Sequence, residues 1–289
     1  MTPTIAAFGD NVVDCYASRD QMFPGGNALN LSVFIRRFGG RSAYLGAVGE
    51  DAAGRHIRDS LIAEGVDVSG LRMGGGATAF CLIGHENGER VFLGADLGVS
   101  IIEPVASDLE TIAAADAVHT GRSSHVEHHL GAFAARARLS YDFAVVRDRD
   151  RIARAAPHCF LASFSGGDLA PDEAEALAIS TRDAGADWVL VTLGGEGALL
   201  AGAGGLHRAR PAPAEVVDTL GAGDTFIART LYGLLTGETP DDMLTAASAE
   251  AARTCSHFGG FGHPAPIDVD RSRARSLAEI YGGETTARA

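Results

Sequence analysis

The 289-residue chain contains no lysine; all 24 of its basic residues are arginine. That absence excludes every mechanism built on a lysine amine, including the phosphate-loop lysine, the strand lysine of protein kinases and a pyridoxal Schiff base. Cysteine is scarce as well. Cys15, Cys81, Cys159 and Cys255 stand far apart with no Cys-x-x-Cys, which argues against a zinc cage or a disulfide framework and leaves four reduced, mostly buried thiols. No apolar run approaches the roughly 18 to 20 residues of a membrane span, so no membrane partner is expected. Residues Met1 to Asp10 lack a basic n-region, so no secretory signal is expected and the sequence reads as cytoplasmic. Positive charge is in deficit overall. A formal net charge of -13 disfavours nucleic acid and anionic lipid, both of which need clustered cations, and points to a small ligand.

The length suits one large α/β domain or two small ones, with roughly three quarters of the unfolded surface buried on folding. Short apolar strands are expected at Thr4 to Phe8, Ser42 to Val48, Ala117 to His119, Tyr141 to Val146, Cys159 to Ala162 and Asp187 to Thr192. Helical spacing marks Ala28 to Phe38, Ala52 to Ala63, Val126 to Ala137, Pro171 to Ala184, a helix after Asp224, and Asp241 to about Phe258. Hairpins are expected around His85 to Glu89 and over Leu199 to Ala209. Such alternation predicts an α/β fold, a mostly parallel sheet covered by helices on both faces. The run Arg147-Asp-Arg-Asp-Arg151 reads as a solvated segment.

The strongest chemical signal is Asp218-Thr-Leu-Gly-Ala-Gly-Asp224, running straight into an amphipathic helix. Glycines at 221 and 223 let backbone amides converge at a helix amino terminus, which favours anions. Asp224 beside such a site would repel a resting phosphate, but it suits a base that accepts a hydroxyl proton during phosphoryl transfer. The competing reading is that Asp224 only caps the helix. A second signal is Gly25-Gly26-Asn27-Ala28-Leu29-Asn30: paired glycines allow close backbone approach, and Asn27 and Asn30 can bond sugar hydroxyls. A glycine turn with an asparagine cap is its bland alternative. Asp14 can grip a pair of hydroxyls.

Together these elements resemble the ribokinase-like (PfkB) carbohydrate kinase family, whose Gly-Gly-x-x-x-Asn and Asp-Thr-x-Gly-Ala-Gly-Asp signatures occur here in the expected order. The resemblance covers nearly the whole chain. It implies a single ribokinase-like domain over 1–289, a three-layer α/β/α architecture, and a small β lid built from segments 12–24 and 68–96. It implies Asp224 as catalytic base, with the amides of Gly221, Ala222 and Gly223 as the anion hole. Asp14, Gly26 and Asn30 match sugar-binding positions, and Thr192, Gly194 and Gly197 match the ATP loop. Asp218 and Thr219 match a region where some members hold a monovalent cation such as K+.

The stretches Gly9 to Tyr16 and Phe23 to Asn30 are most similar to the fructoselysine-phosphorylating branch. That similarity implies a sugar bearing a cationic secondary amine, for which Asp10, Asp14 and Asp96 are candidate partners, and a homodimer through the lid as a further option. Ordinary turn chemistry competes for Asp10 and Asp96. His125 matches a histidine of that branch. His125 and His129 also stand four apart, but the order is not His-Glu-x-x-His and no third metal ligand is evident. Two departures stand out. The family's Asn-x-x-Glu, which acts on Mg2+ through water, is absent from Phe160 to Asp168, leaving Asp168, Glu173 or the nucleotide phosphates to hold the ion. Arg229 stands where a small residue is usual. The expected activity is ATP-dependent phosphorylation of a primary hydroxyl, with another sugar or nucleoside kinase, or a sugar-binding regulator that has lost catalysis, as rivals.

Overall fold

Period-two packing along short strands sets the layers of this molecule. The structure, a computed structural model, describes residues 2–86 and 89–281. Its strands are β1 (Thr4–Phe8), β2 (Val12–Tyr16), β3 (Gln21–Gly25), β4 (Arg41–Val48), β5 (Leu71–Met73), β6 (Phe80–Glu86), β7 (Glu89–Asp96), β8 (Ala117–Gly121), β9 (Arg138–Asp142), β10 (Cys159–Ser165), β11 (Trp188–Thr192), β12 (Ala198–Gly202), β13 (Gly205–Ala209) and β14 (Ala265–Pro266). The helices are α1 (Asn27–Arg37), α2 (Ala52–Ala63), α3 (Ala106–Ala113), α4 (Leu130–Ala134), α5 (Arg149–Ala155), α6 (Pro171–Asp183), α7 (Ala222–Thr236), α8 (Pro240–Thr254) and α9 (Leu277–Tyr281).

One sheet runs β13-β12-β11-β10-β9-β8-β1-β4-β5. Its pairs from β11 to β5 are parallel, and the β12 and β13 hairpin closes one edge antiparallel. On β1, Ile5 and Ala7 join an apolar cluster with Leu31 and Ile35 of α1, Leu231 of α7 and Leu244 of α8. Ala6 and Phe8 face the other way, into a cluster with Ile112 of α3, Phe133 of α4, Ile152 of α5 and Ala178 of α6. β11 divides likewise, Leu190 to the first cluster and Val189 and Val191 to the second. This is the expected three-layer α/β/α arrangement, because strands buried on both faces need helices on both.

A second sheet, β14-β3-β2-β6-β7, has its own small cluster of Tyr16, Phe23, Cys81, Ile83 and Ala95. The 12–24 segment supplies β2 and most of β3. Of the 68–96 segment, only β6 and β7 join this sheet; β5 pairs in parallel with β4 of the large sheet. The tip of the expected 85–89 hairpin, Asn87 and Gly88, lies outside the described residues.

Three other expectations need correction. β9 begins at Arg138 and ends at Asp142, not at Val146, so Asp142 is its last residue. The helix expected over 126–137 is a 3-10 turn, Glu127–His129, followed by the five-residue α4. The Arg147 to Arg151 run is structural as well as solvated: Arg147 forms a two-pronged pair with Asp168, Asp148 caps α5 through the Arg151 amide, and Arg151 pairs with Glu127. Arg229 gains an account here too. Its guanidinium reaches Glu238 at 2.8 Å, just past the end of α7, and lies over the Tyr232 ring.

Candidate active site

A cleft of about 750 Å³ opens where the parallel strands end, which is where open α/β sheets bind ligands. Asp10 follows β1, Arg122 and Ser123 follow β8, and Thr192 ends β11; all of them line it. The small sheet contributes Asp14 and Phe80, and the start of α7 contributes Ala222, Gly223 and Asp224.

At the centre two asparagines from the first turn of α1 hold the aspartate in the first turn of α7. Asn27 Nδ2 donates to one oxygen of Asp224 at 2.8 Å, and Asn30 Nδ2 to the other at 2.6 Å. The glycines explain how α1 comes so close. Gly26 has φ 112, and a Cβ there would lie 2.7 Å from the Asn11 Cα, so only glycine fits this helix entry. Asp10 fixes the same helix end: its carboxylate accepts from the amides of Asn27 at 2.8 Å and Ala28 at 3.3 Å, and from the Ser124 hydroxyl at 3.0 Å. A carboxylate on first-turn amides is the favourable sign for a helix amino terminus.

Two residues that sequence reasoning did not single out complete the cluster. Asn27 Nδ2 also donates to Asp142 at 3.2 Å, and Asp142 accepts from Ser163 Oγ and the Ala144 amide. Because both Asn27 amide protons face carboxylates, its Oδ1 must face a donor, and His119 Nε2 lies 2.9 Å away. His119 Nδ1 then accepts from the Ser140 hydroxyl at 2.9 Å. His119 has no exposed surface, and burial pushes its pKa down to about 3, so the ring is neutral and locks the Asn27 amide in one orientation.

Electrostatics follow from this crowding. Burial chiefly raises the Asp224 pKa to about 7; the Asn30 and Asn27 amides oppose that rise, and the charges of Asp142 and Asp10 add to it. Asp142 rises to about 6, mainly through burial and secondarily through Asp10. Burial also raises Asp10, against the amides and hydroxyl bonded to it. A carboxylate that titrates near neutrality inside a ligand cleft is suited to accept a proton.

The remaining candidates divide. Gly221 caps α7 with φ 78, which leaves the first-turn amides of Ala222, Gly223 and Asp224 outside the intrahelical ladder. Thr192, Gly194 and Gly197 line the far end of the cleft. An added Cβ on Gly194 would meet no atom within 4 Å, so that backbone is open to a ligand. Asp96 lines the cleft but pairs with Arg273 at 2.8 Å and bonds the Gly98 amide, the turn chemistry that competed for it. His125 is exposed, in left-handed backbone, and is not among the lining residues. Asp218 accepts from the Tyr16 hydroxyl and from the amides of Gly259 and Leu220, so hydrogen-bond donors already occupy both oxygens, while Thr219 lines the cleft. Asp168 lines it as well, and the Arg147 guanidinium holds its carboxyl below the usual range; Glu173 caps α6 instead.

A doubly covered α/β sheet, a cleft at its strand ends, a glycine-opened helix start and a carboxylate whose pKa is raised towards neutrality together suit group transfer to a hydroxyl-bearing small molecule. The pfkB family carbohydrate kinase model matches residues 4–266, and the chain belongs to that family. It is 34% identical over 274 residues to the fructosamine kinase FrlD of Bacillus subtilis (strain 168), covering 92% of this chain and 95% of the relative. It is 32% identical over 263 residues to the fructoselysine 6-kinase of Escherichia coli (strain K12), covering 89% and 99%. The fold is similar to that of Arabidopsis thaliana ribokinase complexed with ribose and ATP, at a TM-score of 0.78 and 20% identity over 91% of this chain and 96% of that one. Among the described residues no helix is long and apolar enough to cross a membrane.

Proposed function

We propose that this enzyme transfers the γ-phosphoryl group of ATP to a primary hydroxyl of a fructosamine, a sugar carrying an amine-linked amino acid such as fructoselysine. The observation that carries the reading is the pair of asparagine amides converging on Asp224, whose pKa near 7 sets a base at working pH. Names of the relatives supply the substrate class.

In this reading Asp224 takes the proton of the attacking hydroxyl while the amides of Gly221, Ala222 and Gly223 and the following first-turn amide stabilise charge on the group in transfer. Asn27 and His119 are positioning residues: the neutral imidazole fixes the Asn27 amide, and that amide aims the carboxylate. Asp14, Gly26 and Asn30 hold the sugar. Thr192, Gly194 and Gly197 receive the nucleotide, and Ala251, Ala252 and Val216 offer the base an apolar wall. Of the carboxylates offered to the amine, Asp10 is committed to α1, so the charge falls to Asp14 or to Asp96 once it exchanges Arg273.

The donor chemistry of the cleft fits Mg2+ travelling with ATP, since this ion binds phosphates and water with one or two carboxylates. Asp168 is the lining carboxylate on the nucleotide side, and the ion would neutralise phosphate charge. Asp218 and Thr219 stay the pair offered to K+, and no step is assigned to that ion. The small sheet is read as a lid within one kinase domain spanning the chain, and its Leu93, 55% exposed, marks a face for a second copy.

The test is product analysis. Incubation with ATP and fructoselysine should yield one ADP per phosphomonoester, with the phosphorus coupled to a methylene carbon. ATP hydrolysis without a phosphorylated sugar would overturn the reading.

A further inference from the structure

Outside the cleft, the segment after β8 carries a second set of donors that phosphoryl transfer does not use. His128 and His129 are neighbours in the 3-10 turn Glu127–His129, and their rings lie 4.1 Å apart at 44°. Both Nε2 atoms face one oxygen, Oε2 of Glu103: His128 at 3.3 Å, and His129 in closer contact. One ligand atom from each of the three lies within 4.8 Å of the others. Metal bonds of about 2.0–2.2 Å to imidazole and carboxylate bring such donors to roughly 3 to 3.5 Å of one another, so side-chain rotation suffices to close the set.

The framework around these donors is fixed. The His129 amide bonds the Val126 carbonyl at 2.8 Å, and its ring stacks on the buried Phe133. The Glu103 carbonyl accepts from Arg72 Nη1 at 3.0 Å, and Pro104 restricts its backbone. Arg72 is paired with Asp108, so its charge is offset. The side chains of Glu103 and His128 are 70% and 59% exposed, which leaves room for water to complete a coordination shell.

We propose that Glu103, His128 and His129 form a binding site for a first-row transition-metal dication of the Zn2+ type. Two imidazoles with one carboxylate favour such ions over Mg2+, which takes oxygen ligands. The site joins two walls of the cleft from outside. Glu103 lies in the connection after β7, three residues past Ser100, which lines the cleft; His128 lies four residues past Ser124, whose hydroxyl bonds Asp10. An ion there fastens those segments together. The assignment stands independently of the substrate reading.

The test uses the untagged full chain, freed of metal and without nucleotide. Co2+ titration followed by visible absorption, and Zn2+ titration by calorimetry, should each show one ion bound. H128A and H129A should each lose at least the 10- to 100-fold in affinity typical of removing even an outer-shell partner, and E103Q should lose affinity as well. Zn2+ should raise the Tm of wild type and not that of H129A. These are exposed or half-buried side chains, so metal-free melts of the variants should match wild type. Binding unchanged in H128A and H129A overturns the proposal, as does binding abolished by Cys255→Ser or the absence of binding by wild type.

Discussion

Replacing Asp224 with Asn separates the chemical role of the carboxylate from its place in the fold. Asn cannot accept the hydroxyl proton, and removal of a general base costs about 10²- to 10⁴-fold in kcat. The fold should survive the change. Asp224 accepts from two amides, and Asn offers one acceptor and one amino group; Asn30 Oδ1 is buried without a hydrogen-bond partner, so its amide can turn over and accept from the new amino group. Stability supplies a second readout. The Asp224 pKa rises from 3.8 to about 7 on folding, so between about pH 4 and pH 7 the native state holds more protons than the unfolded state. Its stabilising contribution is complete below pH 4 and is lost as pH climbs through 7. At about 1.4 kcal/mol per pH unit the ceiling is roughly 4 kcal/mol, and solvent at the cleft mouth brings the expectation to about 2 kcal/mol. D224N should therefore gain stability on wild type at pH 8.5 by about that amount relative to pH 4, read by urea unfolding at both pH values. A folded D224N with near wild-type turnover would reduce Asp224 to an acceptor that ties α7 to α1, and a pH-independent stability difference would refute the electrostatic argument.

Asp14→Ala should raise the sugar KM far more than the ATP KM, with a loss of about 1.5–3 kcal/mol for charge-assisted hydrogen bonds; equal losses for both ligands in calorimetry would make Asp14 a support of the small sheet. His119→Ala frees the Asn27 amide and should lower kcat while leaving the sugar KM near wild type. The acidic limb of its pH–rate profile, set near 7 in wild type by Asp224, should move upward because burial then acts with less opposition; an unmoved profile would make His119 only a core residue. Gly197→Ala places a side chain at φ 95 with its Cβ 2.1 Å from the Ala209 carbonyl, so the ATP loop must shift and the ATP KM should rise with the sugar KM little changed. Unaltered ATP kinetics in a folded G197A would detach that loop from the nucleotide.

The alternation of apolar runs made both sheet faces legible, because strands such as β1 and β11 are short, buried except at an end residue or two, and bounded by turns. Asp224 was legible for a different reason: its glycines bracket a helix start, a local pattern. Asp142 and His119 carry no such mark. Their importance comes from lying on neighbouring parallel strands, His119 in the middle of β8 and Asp142 at the end of β9, and the Asp142 position depended on β9 starting at Arg138, a residue beyond the expected helical run. The commitment of Asp10 to α1 was equally hidden, since the hairpin of β2 and β3 separates the carboxylate from the amides it caps. The pairing of Asp96 with Arg273 spans 177 residues, and no periodicity announces a contact of that kind. Glu103 and the 128–129 pair were missed for the same reason: the expected partner was four residues away on a helix, whereas the structure has a 3-10 turn facing a distant loop.

The measurement closest to the central claim is ADP release with fructoselysine, fructose, ribose, adenosine and no acceptor, reported as kcat/KM. A cationic amine against a desolvated carboxylate contributes a few kcal/mol, so fructoselysine should lead fructose by about tenfold to several hundredfold. The lead should shrink in Asp96→Asn if that residue receives the amine. Preference for unmodified fructose or ribose would contradict the fructosamine assignment, and the absence of stimulation by any acceptor would contradict the assignment of Asp224 as the base of a sugar kinase.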